Sequence, residues 1–169
     1  LNVFNGSYLS EDFNRHMKFW GVEKFDVIVM NPPYQKLKEG NRKSQALWDK
    51  FVEETINDLK EGGYLVAVHP DGWRMVNGGK FKNVHNLLKS KQILYLEVHD
   101  KNEGFKIFGA TTPYDFYCLH NVPNTMFTKI KCEDGTIERV DISKMEFIPN
   151  GMYKEFNKLV AKDNEERVK

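Results

Sequence analysis

The sequence is short of several things, and each shortage excludes a class of protein. It has only two cysteines, Cys118 and Cys132, too few for a disulfide framework or a four-cysteine zinc site, and both read as buried thiols. His16, His85, His99 and His120 stand without ligand spacing, so no metal is expected. No apolar run approaches the roughly 18 residues of a spanning helix, so no membrane partner is expected. The opening Leu1-Asn2-Val3-Phe4-Asn5-Gly6 has neither the charged nor the apolar region of a secretory signal. Charge of one sign is lacking too: 25 Lys and Arg against 24 Asp and Glu leave +1. That balance excludes a polybasic protein, though not an enzyme that gathers its cations on one face. Position 1 is Leu, not Met, which leaves room for a longer parent sequence. What remains is a cytoplasmic chain of 169 residues, 40% hydrophobic and 29% charged, about one domain with enough apolar material for a core.

Along the chain, residues 1–9 read as a short strand, and Ser10 with the acids after it starts a helix. The run Phe25–Met30 (FDVIVM) is rich in β-branched residues and reads as a strand buried on both faces of a parallel sheet. An amphipathic helix is expected over about 44–60, with Leu47, Trp48, Phe51, Val52, Thr55, Ile56 and Leu59 on one face. Gly62-Gly63 should end it, before a second strand at Tyr64–Val68. Strand, helix and strand of these lengths make a βαβ unit with a parallel pair. A short helix over 81–90 follows. The runs Ile93–His99 and Tyr114–His120 then look antiparallel, and Glu133-Asp134-Gly135 marks a hairpin between Thr128–Lys131 and Ile137–Ile142. A last helix is expected over 151–161. The fold class is therefore α/β: a mostly parallel sheet with an antiparallel hairpin. Residues 1–150 form the main domain, and 151–169 a C-terminal helix and tail.

The informative string is Asn31-Pro32-Pro33-Tyr34, directly after the FDVIVM strand. With Pro near 5% of residues, it should arise by chance in about one in a thousand chains of this length, or fewer. It also sits where open α/β sheets bind ligands, outside the carboxyl end of a strand. Two prolines fix φ and remove two backbone donors, leaving a rigid turn that offers acceptors. The Asn31 side-chain oxygen and the Pro32 carbonyl can together accept from one planar amino group, drawing its lone pair out of conjugation. Tyr34 offers a flat ring on which a base can stack, worth about 1–3 kcal/mol.

On these residues the chain resembles the S-adenosyl-L-methionine-dependent amino-methyltransferases, and among them the N6-adenine DNA methyltransferases of restriction–modification systems. The resemblance continues through LWDKFVEETINDLKEGGYLVAVHPDGWR (47–74) and GFKIFGATTPYDFYCLHN (104–121), covering roughly residues 1–150. It implies a Rossmann-like methyltransferase sheet, double-stranded DNA as partner and S-adenosyl-L-methionine as cofactor. Asn31, Pro32 and Tyr34 would be the catalytic residues. Tyr34 and Phe108 would sandwich the flipped base, and Ser7, Tyr8 and Asn31 would touch the cofactor. Ser7 stands where the family usually carries Asp.

The family's glycine-rich cofactor loop and ribose-binding acid do not occur before residue 31. The chain is thus read as beginning near the third strand of a seven-stranded sheet, without the strands that family topology puts at its centre. It is expected to be a fragment, a split half that needs the missing N-terminal portion or a partner chain, or a remnant. Alone it should be inactive and hold the cofactor poorly. The lysine-rich stretch 36–43 and the cationic stretch 74–91, with Arg74, Lys80, Lys82, Lys89 and Lys91 and no acid, are candidate phosphate-facing surfaces. His69 and Asp71 end a strand beside the crevice, with a structural role as the favoured reading. Two other functions stay open: methylation of a protein glutamine or an RNA base, and a non-catalytic DNA-binding or assembly module derived from such an enzyme.

Overall fold

The βαβ unit forms as the periodicity predicts, with changed boundaries. In the computed structural model, which describes residues 1–36, 45–75 and 79–159, strand β1 (Phe25–Met30) leads into the Asn31–Tyr34 turn. Two short strands, β2 (Gln35–Lys36) and β3 (Gln45–Ala46), pair antiparallel before helix α2 (Trp48–Asp58). Strand β4 (Leu59–Pro70) then returns parallel to β1. The helix ends four residues before the glycines, because Leu59 is already extended (φ −86°, ψ 133°). Gly62 and Gly63 instead form an irregularity inside β4, between the pairs Phe25↔Leu59 and Val27↔Tyr64. Gly62 has φ +75°, and a Cβ on Gly63 would press against the Asp26 carbonyl at 2.9 Å. The expected helix start at residue 44 and most of the lysine-rich stretch lie outside the described residues.

The other elements are helix α1 (Glu11–Phe19), a 3₁₀ turn at Asp71–Arg74, and helix α3 (Lys82–Ser90). Strand β5 (Lys91–His99), helix α4 (Lys101–Phe108) and strand β6 (Tyr114–Pro123) follow. Strands β7 (Thr128–Lys131) and β8 (Ile137–Val140) precede helix α5 (Tyr153–Leu159). One six-stranded sheet runs β1-β4-β6-β5-β7-β8. Strands β1, β4, β5 and β7 share one direction, while β6 and β8 run against it. The β5–β6 pair and the β7–β8 hairpin are antiparallel as their turn and spacing signals indicated.

Four expectations are corrected. Residues 1–9 form no strand: Phe4 and Tyr8 pack on Phe13 of α1, and Tyr8 also stacks on Phe51 of α2, so the segment lies on helices, with no strand partner. The FDVIVM strand is not buried on both faces; it is an edge strand, with Val27 57% and Val29 75% exposed. Arg74 is not a surface cation. It is buried, donating through Nε to Asp115 (2.9 Å) and through its other nitrogens to Asp71 (3.2 Å), the Ile148 carbonyl (3.0 Å) and Asn150 (2.7 Å). Cys132 is buried as expected, whereas Cys118 is partly exposed.

The core lies between one sheet face and the helices. It joins Trp48, Val52 and Ile56 of α2 and Val84 and Leu88 of α3 to Leu65, Leu96, Tyr117 and Leu119 of the sheet. Tyr153 of α5 belongs to the same cluster. Among the described residues no helix is long and apolar enough to cross a membrane.

His69 is fully buried in this core, stacked on Trp48 at 4.6 Å. Its Nδ1 donates to the Pro70 carbonyl (2.9 Å), which leaves Nε2 to accept from the Tyr117 hydroxyl (3.0 Å). This is the structural role, and burial lowers its pKa to about 4. Between that value and the ordinary 6.5 the unfolded chain binds the extra proton, so stability falls as pH drops through this window. Comparing urea unfolding of wild type and His69→Gln from pH 7.5 to 4 isolates the contribution from Asp115, whose shift runs the other way. The wild type is expected to lose up to about 3 kcal/mol more than the variant over this range. Parallel pH profiles would show that His69 is not held neutral.

Candidate active site at the carboxyl ends of three strands

Strand direction decides where the chemistry-bearing residues meet. Since β6 is antiparallel to both β4 and β5, these two end on the same margin of the sheet, and β1 ends there with β4. In register, Pro70 lies opposite Tyr114, and Tyr114 opposite His99. The Asn31–Tyr34 turn, the start of the 3₁₀ turn, the beginning of β6 and the entry to α4 therefore line one crevice, the place where open α/β sheets bind ligands.

Within the turn, Asn31 is exposed and Pro32 is buried. The Tyr34 carbonyl accepts from the Leu47 amide (3.1 Å), which ties the turn to the entry of α2. The Tyr34 ring meets the Phe108 ring, far from it in sequence, with centroids 5.9 Å apart at 70°. Phe108 in turn meets Tyr114 edge-on at 5.1 Å and 87°, and Tyr114 stacks flat on His99 at 4.3 Å and 4°. The Tyr34 hydroxyl is buried without a hydrogen-bond partner among the described residues. Burial, and then the neighbouring Tyr114, raise its pKa, so it stays a protonated donor. An unpaired buried hydroxyl costs about 1–3 kcal/mol, which a ligand acceptor would relieve.

The structure thus brings Asn31, Pro32, Tyr34 and Phe108 to one crevice. It does not bring Ser7 and Tyr8 there. The Ser7 carbonyl accepts from Ser10, and the Tyr8 hydroxyl donates to Asp58 (2.6 Å) at the far end of α2. Trp48 and Asp58 are about 15 Å apart along the helix at 1.5 Å per residue.

Sequence reasoning missed the support beneath the crevice. Asp115 is fully buried, accepting on Oδ2 from Arg74 and from Trp73 Nε1 (2.8 Å), while its Oδ1 has no partner among the described residues. Burial outweighs Arg74 and pushes the carboxyl up to about 6. An acid inside the apolar run YDFYCLH was the available signal, since such a carboxylate needs a buried cation. Tyr114 and His99 were also missed as pocket walls. Their stacking follows only once the β5–β6 register is known.

The model of the Eco57I restriction-modification methylase family matches residues 4–108, more than half of the chain. An uncharacterized adenine-specific methylase of Mycoplasma pneumoniae (strain ATCC 29342 / M129 / Subtype 1) is 35% identical over 88 residues, 49% of this chain and 20% of its own length. Modification methylase CviBIII of Paramecium bursaria Chlorella virus NC1A is 31% identical over 108 residues, 59% of this chain and 27% of its own length. The chain therefore spans about a quarter of these relatives. In fold it resembles the M protein of the type I restriction enzyme EcoKI, with a TM-score of 0.54 at 15% identity over 75% of this chain and 27% of that one. A chain of a type I R-M system complex gives a TM-score of 0.50 at 21% identity, covering 81% of this chain and 29% of that one. The two-proline turn and the strand–helix–strand that carries it both fall inside the matched span: this chain belongs to the Eco57I restriction-modification methylase family.

Proposed function

We propose that this chain is the substrate-binding and catalytic part of an S-adenosyl-L-methionine-dependent methyltransferase acting on the N6 amino group of an adenine flipped out of double-stranded DNA. The observation that carries this reading is the meeting of the Asn31–Tyr34 turn with Phe108 at the carboxyl end of β1. Extruding the base from the duplex brings its amino group to the turn. The Asn31 Oδ1 and the Pro32 carbonyl accept its two hydrogens, so its lone pair points away from the ring. Preorganised acceptors of this kind stabilise the positive charge that develops on nitrogen. S-adenosyl-L-methionine, when bound, supplies an electrophilic sulfonium methyl. The amino nitrogen would gain the methyl group as the sulfonium–methyl bond breaks, leaving a neutral thioether, and one amino proton would pass to solvent.

The residues of this chain fit the amino group better than they fit the cofactor. Tyr8 spends its hydroxyl on Asp58, and neither Ser7 nor Tyr8 reaches the crevice. On this reading Asn31 is the residue nearest the cofactor. The remaining contacts come from a missing N-terminal portion or a partner chain seated on the unpaired edge of β1, where Val27 and Val29 stand exposed. Such an edge is otherwise a liability for aggregation.

The rings also set a requirement. A base between two aromatic faces needs them roughly parallel and about 7 Å apart, two van der Waals spacings of about 3.5 Å. At 5.9 Å and 70° the two rings are closed on each other, and Phe108, 37% exposed, is the ring that must swing to admit a base.

Expressing the full gene product in a host without adenine methylation and mapping modified bases should reveal N6-methyladenine in one repeated sequence context. Asn31→Ala should lower that signal at least about 100-fold. Methyl label on protein or RNA in place of DNA would refute the reading. A second comparison addresses Tyr34. Tyr34→Ala should lower kcat/KM about tenfold or more through lost stacking, while Tyr34→Phe retains most of it. Equal losses in the two variants would mean that the hydroxyl, and not the ring, carries the role.

A further inference from the structure

Helix α4 is anchored at both ends yet leaves large apolar side chains in solvent. Asp100 caps its start, accepting from the amides of Asn102 (2.9 Å) and Glu103 (2.8 Å), and Gly109 closes it in the left-handed conformation at φ +66°. Gly104 is buried against the Thr112 carbonyl so closely that a Cβ would collide with it. On this fixed helix Phe105 is 59% exposed and Ile107 63% exposed. A buried sheet margin would ordinarily absorb such residues, so their exposure marks a contact surface.

The helical spacing separates the two. Phe105 lies three residues before Phe108 and shares its face, one step of about 4.5 Å along the axis. Lys101, four residues before Phe105, continues the same stripe. Ile107 is on the opposite flank of the Gly104 contact. The acids of this region have partners on the helix and beside it: Asp100 accepts from the helix amides, and Glu103 pairs with His99 Nδ1. Lys101 and Lys106 are exposed and form no ion pair among the described residues. The stripe therefore reads cation, apolar wedge, base-stacking ring.

We propose that α4 is a duplex-facing element in which Phe105 enters the gap left in the base stack when the adenine moves to Phe108, with Lys101 and Lys106 on the flanking phosphates. The inference rests on the base-flipping reading above. Apolar side chains are suited to this task because they replace the stacking contacts of the departed base without needing hydrogen-bond partners. The unpaired cations favour a polyanion as the occupant over another apolar surface of protein.

An abasic site tests the wedge apart from the chemistry, because it offers a ready-made gap and no base to hold. Fluorescence anisotropy of the full gene product is measured on mixed-sequence duplexes with and without one central abasic analogue. Wild type should bind the abasic duplex about tenfold more tightly than the intact one. Phe105→Ala should bring the two affinities to within about twofold, and Ile107→Ala should keep the full preference. A preference that survives Phe105→Ala, or its absence in wild type, overturns the proposal. Equal loss in both variants also overturns it, showing instead that α4 is covered by another part of the protein. Failure of the methyltransferase reading would be seen separately, as missing N6-methyladenine in the mapping experiment, whatever the abasic result.

Discussion

Strand β6, running antiparallel between β4 and β5, is the constraint on which the site depends. Because it reverses direction, its two neighbours end together, and its first residue, Tyr114, lies between Pro70 and His99. The parallel pairing of β1 with β4 then delivers the two-proline turn to the same margin. Backbone hydrogen bonds thus assemble a crevice from four segments far apart in sequence. The side chains only have to be the right ones at the strand ends.

Beneath the crevice, polar groups hold those ends in place. The Arg74–Asp115 pair is bracketed by Trp73, Asp71, Ile148 and Asn150, so the 3₁₀ turn, β6 and the segment before α5 are tied at one point. Such a buried pair is weak evidence for stability, since desolvation offsets much of its attraction. Its effect is positional: it fixes the turn after β4 relative to the start of β6. His69 does the same between α2 and β6, stacked on Trp48 and hydrogen-bonded to Tyr117.

Local signals made much of this legible. The FDVIVM run, the amphipathic α2 face and the Asp134-Gly135 turn each announced an element that formed, and Asn31–Tyr34 marked the candidate site by composition and position together. What was not legible depended on partners distant in sequence. Residues 1–9 have the composition of a strand, yet aromatic packing on α1 and α2 takes them. Arg74 looked like one of several surface cations, because nothing near it in sequence reveals Asp115. The stretch 101–113 went without an assigned element, although it carries the marks of a helix, an Asp100 cap and a Gly109 stop. Burial of FDVIVM was inferred from its apolar character, which does not say whether a neighbouring strand lies in the same chain.

Base flipping requires one geometric change here: the edge contact between Tyr34 and Phe108 must open to admit a base. A crystal structure of the full gene product with a duplex bearing its methylation site would measure this directly. The two rings should lie nearly parallel, about 7 Å apart, with an extruded adenine between them. Its N6 should fall within hydrogen-bonding distance, about 2.7–3.2 Å, of both Asn31 Oδ1 and the Pro32 carbonyl. A complex in which the rings keep their edge contact while the adenine remains stacked in the duplex would contradict the account.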